Sequence, residues 1–374
     1  MPSAYDLVFW QNTLSAHQAP LLRALSDSLD QRVLLVVTRG PSDDRIGFGW
    51  EDLDYGSTRV LVSDSPEERS RVARETLAAR AHVFSGLGAY PAIDAVRRQL
   101  AVVDDHPHLA VVTESLDSRG VRGVARVLRL RIRAPREAGT VDTIFTIGPL
   151  AHRQFARSVR RAGTVVPFAY AVEDARPVAR SQSDRSRLIF VGSLTEWKDP
   201  ALILEALSRV RRSDWTLTLI GRGPLKQSLE RQVSARGFGD RVRFIEALPA
   251  TQVRHEIAES DVLILPSRYD GWGAVVSEAL MSGTRVLVSD GAGASELVVS
   301  PLQGAVFAAG DAPALGALLT SELATAGDPS RREKLAAWAA SHIAPSVMAR
   351  YLVARFTDPG SARHAPWESG GANV

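Results

Sequence analysis

The chain has 374 residues, 45% of them hydrophobic, with a formal charge of +3. Two domains are the default at this length, and so small a charge gives no case for nucleic acid as a partner. The absence of cysteine excludes disulfides and thiol catalysis, no apolar run nears the roughly 20 residues of a membrane helix, and the first residues lack the pattern of a secretory signal, so a cytoplasmic location is expected.

The expected order is strand, loop, helix, repeated. Residues 6–10 and 32–37 read as buried strands, with a helix over 20–29 between them. Segments 59–62, 82–85, 109–113, 143–147 and 164–168 continue the series of strands. The stretch 169–186, with Pro177 and several polar residues, reads as a linker. A second series has strands at 187–191, 216–220, 241–245, 261–265, 285–288 and 305–307, and helices such as 200–211 and 225–236. Residues 330–342 and 345–356 read as closing helices, and 357–374, rich in Gly, Pro and Ser, as a mobile tail. Strands alternating with helices imply parallel sheets with right-handed crossovers, whose ligands sit beyond the carboxyl ends of the strands. The expected fold class is therefore α/β, with two Rossmann-like parallel-sheet domains facing a cleft.

The most informative stretch runs Pro266-Ser267-Arg268-Tyr269-Asp270-Gly271-Trp272-Gly273-Ala274-Val275-Val276-Ser277-Glu278-Ala279-Leu280. It lies between the apolar run 262–265 and a helix expected over 275–281. A glycine-rich loop entering a helix offers free backbone N–H groups and the positive end of the helix dipole, which favour an anion such as a diphosphate. Asp270 on the loop and Glu278 about a turn into the helix then reach groups on either side of the phosphates. A sugar nucleotide has that shape.

This spacing resembles the E-x7-E element of retaining glycosyltransferases of family 4, with Asp270 in place of the first Glu. The resemblance extends from about residue 187 to 307. Phe190-Val191-Gly192-Ser193-Leu194 with Lys198 looks like the first strand and phosphate loop of the donor domain. Gly221-Arg222-Gly223-Pro224 looks like the G-x-G-P turn. Arg243-Phe244-Ile245-Glu246 looks like the segment whose backbone meets the nucleobase. Ser289-Asp290-Gly291-Ala292-Gly293-Ala294 with Glu296 looks like the loop that closes the site. The family usually has Arg directly after the first glycine. Here that position is Ser193, and Arg222 is the nearest candidate to replace it. The resemblance implies the GT-B fold, with an acceptor domain over 1–172, a donor domain over 186–344 and a crossover helix over 345–356. It implies that Gly192, Ser193, Lys198, Arg222, Ile245, Glu278 and the segment Gly271, Trp272, Gly273, Ala274 and Val275 hold the donor. Asp270 accepts hydrogen bonds from the sugar in this reading, Glu278 from ribose, and Lys198 neutralises the diphosphate as the sugar bond breaks.

The amino-terminal half resembles the family less. His17 follows the first strand and is either a ligand of acceptor or leaving phosphate, or a helix-start residue making local bonds. Glu114 follows another strand and either orients an acceptor hydroxyl as a base or caps the next helix. From Arg119 to Arg136 the chain holds seven arginines and no acid, with Val and Leu interleaved. Such a helix either packs on the first domain with solvated arginines or rests on an anionic membrane surface, which would place the protein at the inner face of a membrane. Asp52-Leu53-Asp54 has the D-x-D form but follows no buried strand. His106-Pro107-His108 beside Asp104-Asp105 reads as a turn rather than a metal site. There is no P-loop and no G-x-G-x-x-G after a strand. No metal or organic cofactor is expected.

These readings converge on transfer of a sugar from a nucleoside-diphosphate sugar to an acceptor hydroxyl, with retention at the anomeric carbon. The acceptor is a saccharide, a lipid-linked saccharide or a small molecule. Two alternatives stand beside it: a sugar-nucleotide epimerase or hydrolase of the same architecture, and a non-catalytic nucleotide-sugar-binding relative.

Overall fold

The structure is a computed structural model that describes residues 4–40, 53–159, 165–175, 185–325, 328–358 and 364–368. Asp52, residues 176–184 of the expected linker and most of the expected tail lie outside the described residues. The chain forms two compact units, one from Met1–Val172 with Pro345–Ser369 and the other from Glu173–Ala344.

The first unit is built on seven parallel strands: β1 (Leu7–Gln11), β2 (Val33–Val37), β3 (Arg59–Val62), β4 (Ala81–Ser85), β5 (His108–Glu114), β6 (Thr143–Ile147) and β7 (Val165–Phe168). Their order is β3-β2-β1-β4-β5-β6-β7. Helices cover both faces, so the central strands are apolar throughout rather than alternating: all five residues of β1, β2 and β6 are buried. The segment Arg59–Val62 forms a strand with the expected bounds. It is the sheet's edge, pairs only with β2 and exposes Val60 and Val62. The helix expected over 20–29 differs. A short α-helix, Ala19–Arg23, widens into a π-helical turn, Ala24–Ser28. There the Ser26 hydroxyl donates to the Arg23 carbonyl, the kind of local side-chain bond that competes with regular helix. The core gathers Trp10, Phe84, Leu109 and Ile144. Within it the Trp10 indole N–H donates to His82 Nδ1 at 3.0 Å. An indole N–H only donates, so the neutral imidazole carries its proton on Nε2 and gives it to the Thr76 carbonyl at 3.1 Å. The helix Pro345–Thr357 packs against the 19–28 turns, and the Tyr351 hydroxyl donates to the Pro167 carbonyl at 3.1 Å.

The second unit has six parallel strands: β8 (Ser186–Val191), β9 (Trp215–Ile220), β10 (Val242–Ile245), β11 (Val262–Leu265), β12 (Arg285–Ser289) and β13 (Gly304–Phe307). Their order is β10-β9-β8-β11-β12-β13. The chain winds outward from β8 to β10, returns to place β11 beside β8, and winds outward the other way. Helices Ala201–Leu207, Lys226–Ala235 and Ala312–Thr325 cover one face, around Phe190, Trp215 and Leu217. Helices Ala250–Ala258, Ala274–Met281 and Pro329–His342 pack together as the other layer. The consequence for function is geometric. The loops that leave β8 and β11 part at the reversal of strand order, where open α/β sheets take their ligands.

Candidate active site

The reversal brings two charges together. The loop after β8 carries Lys198 and the loop after β11 carries Asp270, and the Lys198 ammonium forms an ion pair with Asp270 Oδ2. Both side chains are mostly shielded, with exposures of 26% and 14%. The loops are also tied through their main chains, since the Arg268 N–H donates to the Trp197 carbonyl at 2.8 Å. The Arg268 guanidinium donates to Asp199 Oδ2 at 2.8 Å.

Glycines allow the close approach. A Cβ on Gly221 would lie 1.9 Å from the Gly192 carbonyl oxygen, and one on Gly293 would lie 2.2 Å from that of Gly271. The G-x-G-P turn therefore rests directly on the 192–194 loop, where the Leu194 N–H donates to the Arg222 carbonyl at 2.8 Å. The closing loop 291–294 rests in the same way on 270–272. The Asp270 N–H donates to Gly291, and the Gly293 N–H donates to Asp270, at 2.9 and 3.1 Å. Asp270 is thus fixed by its backbone on both sides while its carboxylate holds Lys198.

Gly273, at φ +89°, turns the chain into the helix Ala274–Met281, and among the described residues no side chain caps its start. The N–H groups of Ala274 and Val275 at its start are therefore open to an external acceptor. The Trp272 side chain is not. Its indole is buried and donates to Ser277 Oγ at 3.2 Å, so only the Trp272 backbone belongs to the loop surface.

Glu278 lies one turn further on. Among the described residues no hydrogen bond reaches its carboxylate. Burial pushes its pKa up to about 7, against a smaller opposing pull from the Arg254 charge. A carboxyl raised this far beside the start of a helix is a functional-site signal.

The remaining expected donor residues are placed as follows. Gly192 donates its N–H to the Ile220 carbonyl at 3.0 Å. Ser193 Oγ is 3.5 Å from Thr195 Oγ1. The Ile245 carbonyl accepts from the Gly221 N–H at 2.8 Å, at the carboxyl end of β10. Arg222 is well exposed and turns to Glu246, 3.9 Å away, which Lys226 also engages. It does not join the Lys198–Asp270 pair.

In the first unit, His17 and Glu114 are joined through a residue that the sequence did not single out. The Tyr170 hydroxyl donates to Glu114 Oε1 at 2.6 Å, and the Tyr170 and His17 rings stack with centroids 5.4 Å apart. Burial first, and the adjacent Glu114 charge second, push the Tyr170 pKa well above the usual phenol value. Tyr170 stays a donor. Tyr170 lies in the stretch whose composition reads as linker, and only its following a short strand, β7, could have pointed to it.

The other constellations do not assemble. Asp54 pairs with Arg23 at 2.9 Å. His108 Nε2 meets Thr143 Oγ1 at 2.9 Å, while His106 turns to the Pro107 carbonyl. Among the described residues no three His, Cys, Asp or Glu side chains are grouped to hold a metal ion, and no helix is long and apolar enough to cross a membrane.

Comparison with known proteins bears first on the second unit. Residues 172–339, somewhat under half of the chain, match the family model of glycosyl transferases group 1. The chain is similar to the alpha-D-kanosaminyltransferase of Streptomyces kanamyceticus, with 26% identity over 47% of this chain and 44% of that protein. It is also similar to the GDP-mannose-dependent alpha-(1-6)-phosphatidylinositol monomannoside mannosyltransferase of Mycolicibacterium smegmatis, with 29% identity over 42% of this chain and 44% of the relative. It spans less than half the length of the curated relatives it matches. Among solved structures it resembles Anabaena Alr3699/HepE in complex with UDP, with a TM-score of 0.68 and 14% identity over 94% of this chain and 99% of that one. At that identity the likeness is one of fold: two Rossmann-like parallel-sheet domains of the GT-B class.

Proposed function

We propose that the protein transfers a sugar from a nucleoside-diphosphate sugar to an acceptor hydroxyl, with retention at the anomeric carbon. The observation that carries this reading is the grouping of Lys198, Asp270, an uncapped helix start and the partnerless Glu278 at the strand reversal of the second unit. The family match over residues 172–339 supports it.

The diphosphate lies on the 271–276 backbone, with the amides of Ala274 and Val275 and the Lys198 ammonium as donors. Glu278 accepts from ribose hydroxyls, which replaces its missing partner. Asp270 accepts from sugar hydroxyls, and its charge favours positive charge at the anomeric carbon. The bond from the anomeric carbon to the phosphate oxygen breaks with its electron pair leaving on the diphosphate. The acceptor oxygen bonds to the same face, and its proton passes to the departing phosphate oxygen. Lys198, released from Asp270 toward the phosphate, stabilises the charge that grows there. On the first unit, His17, Tyr170 and Glu114 are the groups for the acceptor, with Glu114 orienting its hydroxyl through the Tyr170 contact. The acceptor is a saccharide, free or lipid-linked, or a small hydroxyl compound.

The test is incubation of the full chain with UDP-, GDP- and ADP-sugars and a panel of saccharide acceptors, followed by mass and anomeric analysis of the products. A glycoside with the donor's anomeric configuration is expected. An inverted product contradicts retention. Donor turnover with no glycoside, whatever the acceptor, supports the hydrolase or epimerase reading instead.

A further inference from the structure

The helix Gly120–Ala138 carries two apolar stripes rather than one. Leu130, Ala134 and Ala138 enter the core of the first unit, and Gly123 is buried beneath the same side. Val121, Val124, Leu128 and Ile132 do not. They are 89%, 62%, 56% and 68% exposed. At 3.6 residues per turn these four fall along one side, well round the helix from the buried stripe. Arg122, Arg126, Arg129, Arg133 and Arg136 run in a row along one flank of that stripe, and Arg131 stands on the other.

The charge is not consumed by the fold. The acids at its two ends are engaged there: Asp117 by Arg119 and Arg126, and Glu137 by Arg97 and Arg98. Among the described residues Arg122, Arg129, Arg131, Arg133 and Arg136 have no ion-pair partner. A purely solvated face would not need four large apolar side chains in line. A protein partner of ordinary composition would not call for this many cations of one sign beside them.

We propose that this helix lies on an anionic lipid surface. Val121, Val124, Leu128 and Ile132 enter the boundary between headgroups and acyl chains, and the arginines extend their stems sideways to place guanidinium groups among the phosphates. The chemistry is that of anionic phospholipid, and the proposal is independent of the sugar-transfer reading.

Co-sedimentation of the full chain with phosphatidylglycerol–phosphatidylcholine vesicles, against phosphatidylcholine alone, tests it. Binding at least tenfold stronger to the anionic vesicles is expected, weakening as salt is raised. Arg122→Gln/Arg129→Gln should lower that binding by an order of magnitude or more, at about fivefold for each arginine. Leu128→Ser/Ile132→Ser should lower it severalfold, with an unchanged melting temperature because both side chains are exposed. Absence of binding to anionic vesicles overturns the proposal, as does equal binding by wild type and both variants. A melting temperature lowered by the Ser variant would show that the stripe is packed, and a self-association removed by that variant would assign it to a second copy. Either outcome also overturns the proposal.

Discussion

Lys198 and Asp270 are 72 residues apart in the chain and form an ion pair where the loops after β8 and β11 meet. Neither loop alone has a reason to hold a charge there. Together they place a mobile cation beside an acid at the mouth of an uncapped helix. Lys198→Ala should lower the rate of sugar transfer by roughly 2–4 kcal/mol of barrier, because its charge is needed most as the phosphate departs. Asp270→Asn should also cost turnover, and the double variant should be less damaged than the sum of the singles. Steady-state rates of the three variants check this, with strict additivity as the contrary result.

Glu278 should be a liability to the empty protein. Its carboxyl is raised from 4.5 to about 7, so the folded state holds a proton that the unfolded state gives up. Stability is therefore favoured below pH 4.5 and eroded as the pH rises through 7. The shift corresponds to roughly 3 kcal/mol, and partial exposure trims it to about 1–3 kcal/mol. Glu278→Gln should stabilise the unliganded protein at pH 8 and weaken nucleotide binding. Wild-type affinity should rise as pH increases through 7, since the carboxylate is the better acceptor. Urea unfolding and binding titrations at pH 5.5 and 8 read both effects.

His82 acts in the opposite sense. Burial lowers its pKa from 6.5 to about 4, and its neutral ring is held between Trp10 and Thr76. The unfolded chain takes up a proton first, so this stability is present above pH 6.5 and lost as pH falls toward 4, by roughly 3 kcal/mol. In the Glu278→Gln background, where the opposing group is gone, urea unfolding should show that loss. A flat profile between pH 6.5 and 4 would contradict the assignment.

Much of the framework was legible in the sequence, and the pairing across it was not. Continuous apolar runs such as Val262–Leu265 announce strands covered on both faces. Glycines at 271 and 273 before a helix announce a tight strand-to-helix turn. The Lys198–Asp270 pair depends on strand order, which no local pattern encodes. Tyr170 is hidden in the sequence because Pro177 and the polar residues around it give the signature of a linker, whereas the end of β7 carries its ring back to His17 and Glu114. Arg222 has the right charge near the right loop, and in this structure its exposed side chain lies 3.9 Å from Glu246. The Gly120–Ala138 helix shows the limit of periodicity: one interleaved pattern contains two stripes, and only packing tells which is buried.

Tyr170→Phe should leave donor binding intact and reduce transfer, since it removes the hydroxyl that holds Glu114 and keeps the ring that stacks on His17. His17→Ala and Glu114→Gln should act in the same direction. Measured Kd for the nucleotide and kcat for transfer separate the two steps. Unchanged kcat in all three removes this group from the acceptor site.

Under the proposed reading, in which Lys198 and the helix-start amides supply the positive potential for the diphosphate, turnover should survive excess EDTA. Activity abolished by chelator and restored by magnesium or manganese would mean that a bound cation does this work.

Calorimetric titration of the full chain and of Lys198→Ala with UDP, GDP and ADP at pH 8 bears on the nucleotide site itself. One of the three diphosphates should bind the wild type, and the substitution should weaken it tenfold or more. No heat from any of them, or equal affinity in both proteins, would place the site elsewhere or nowhere.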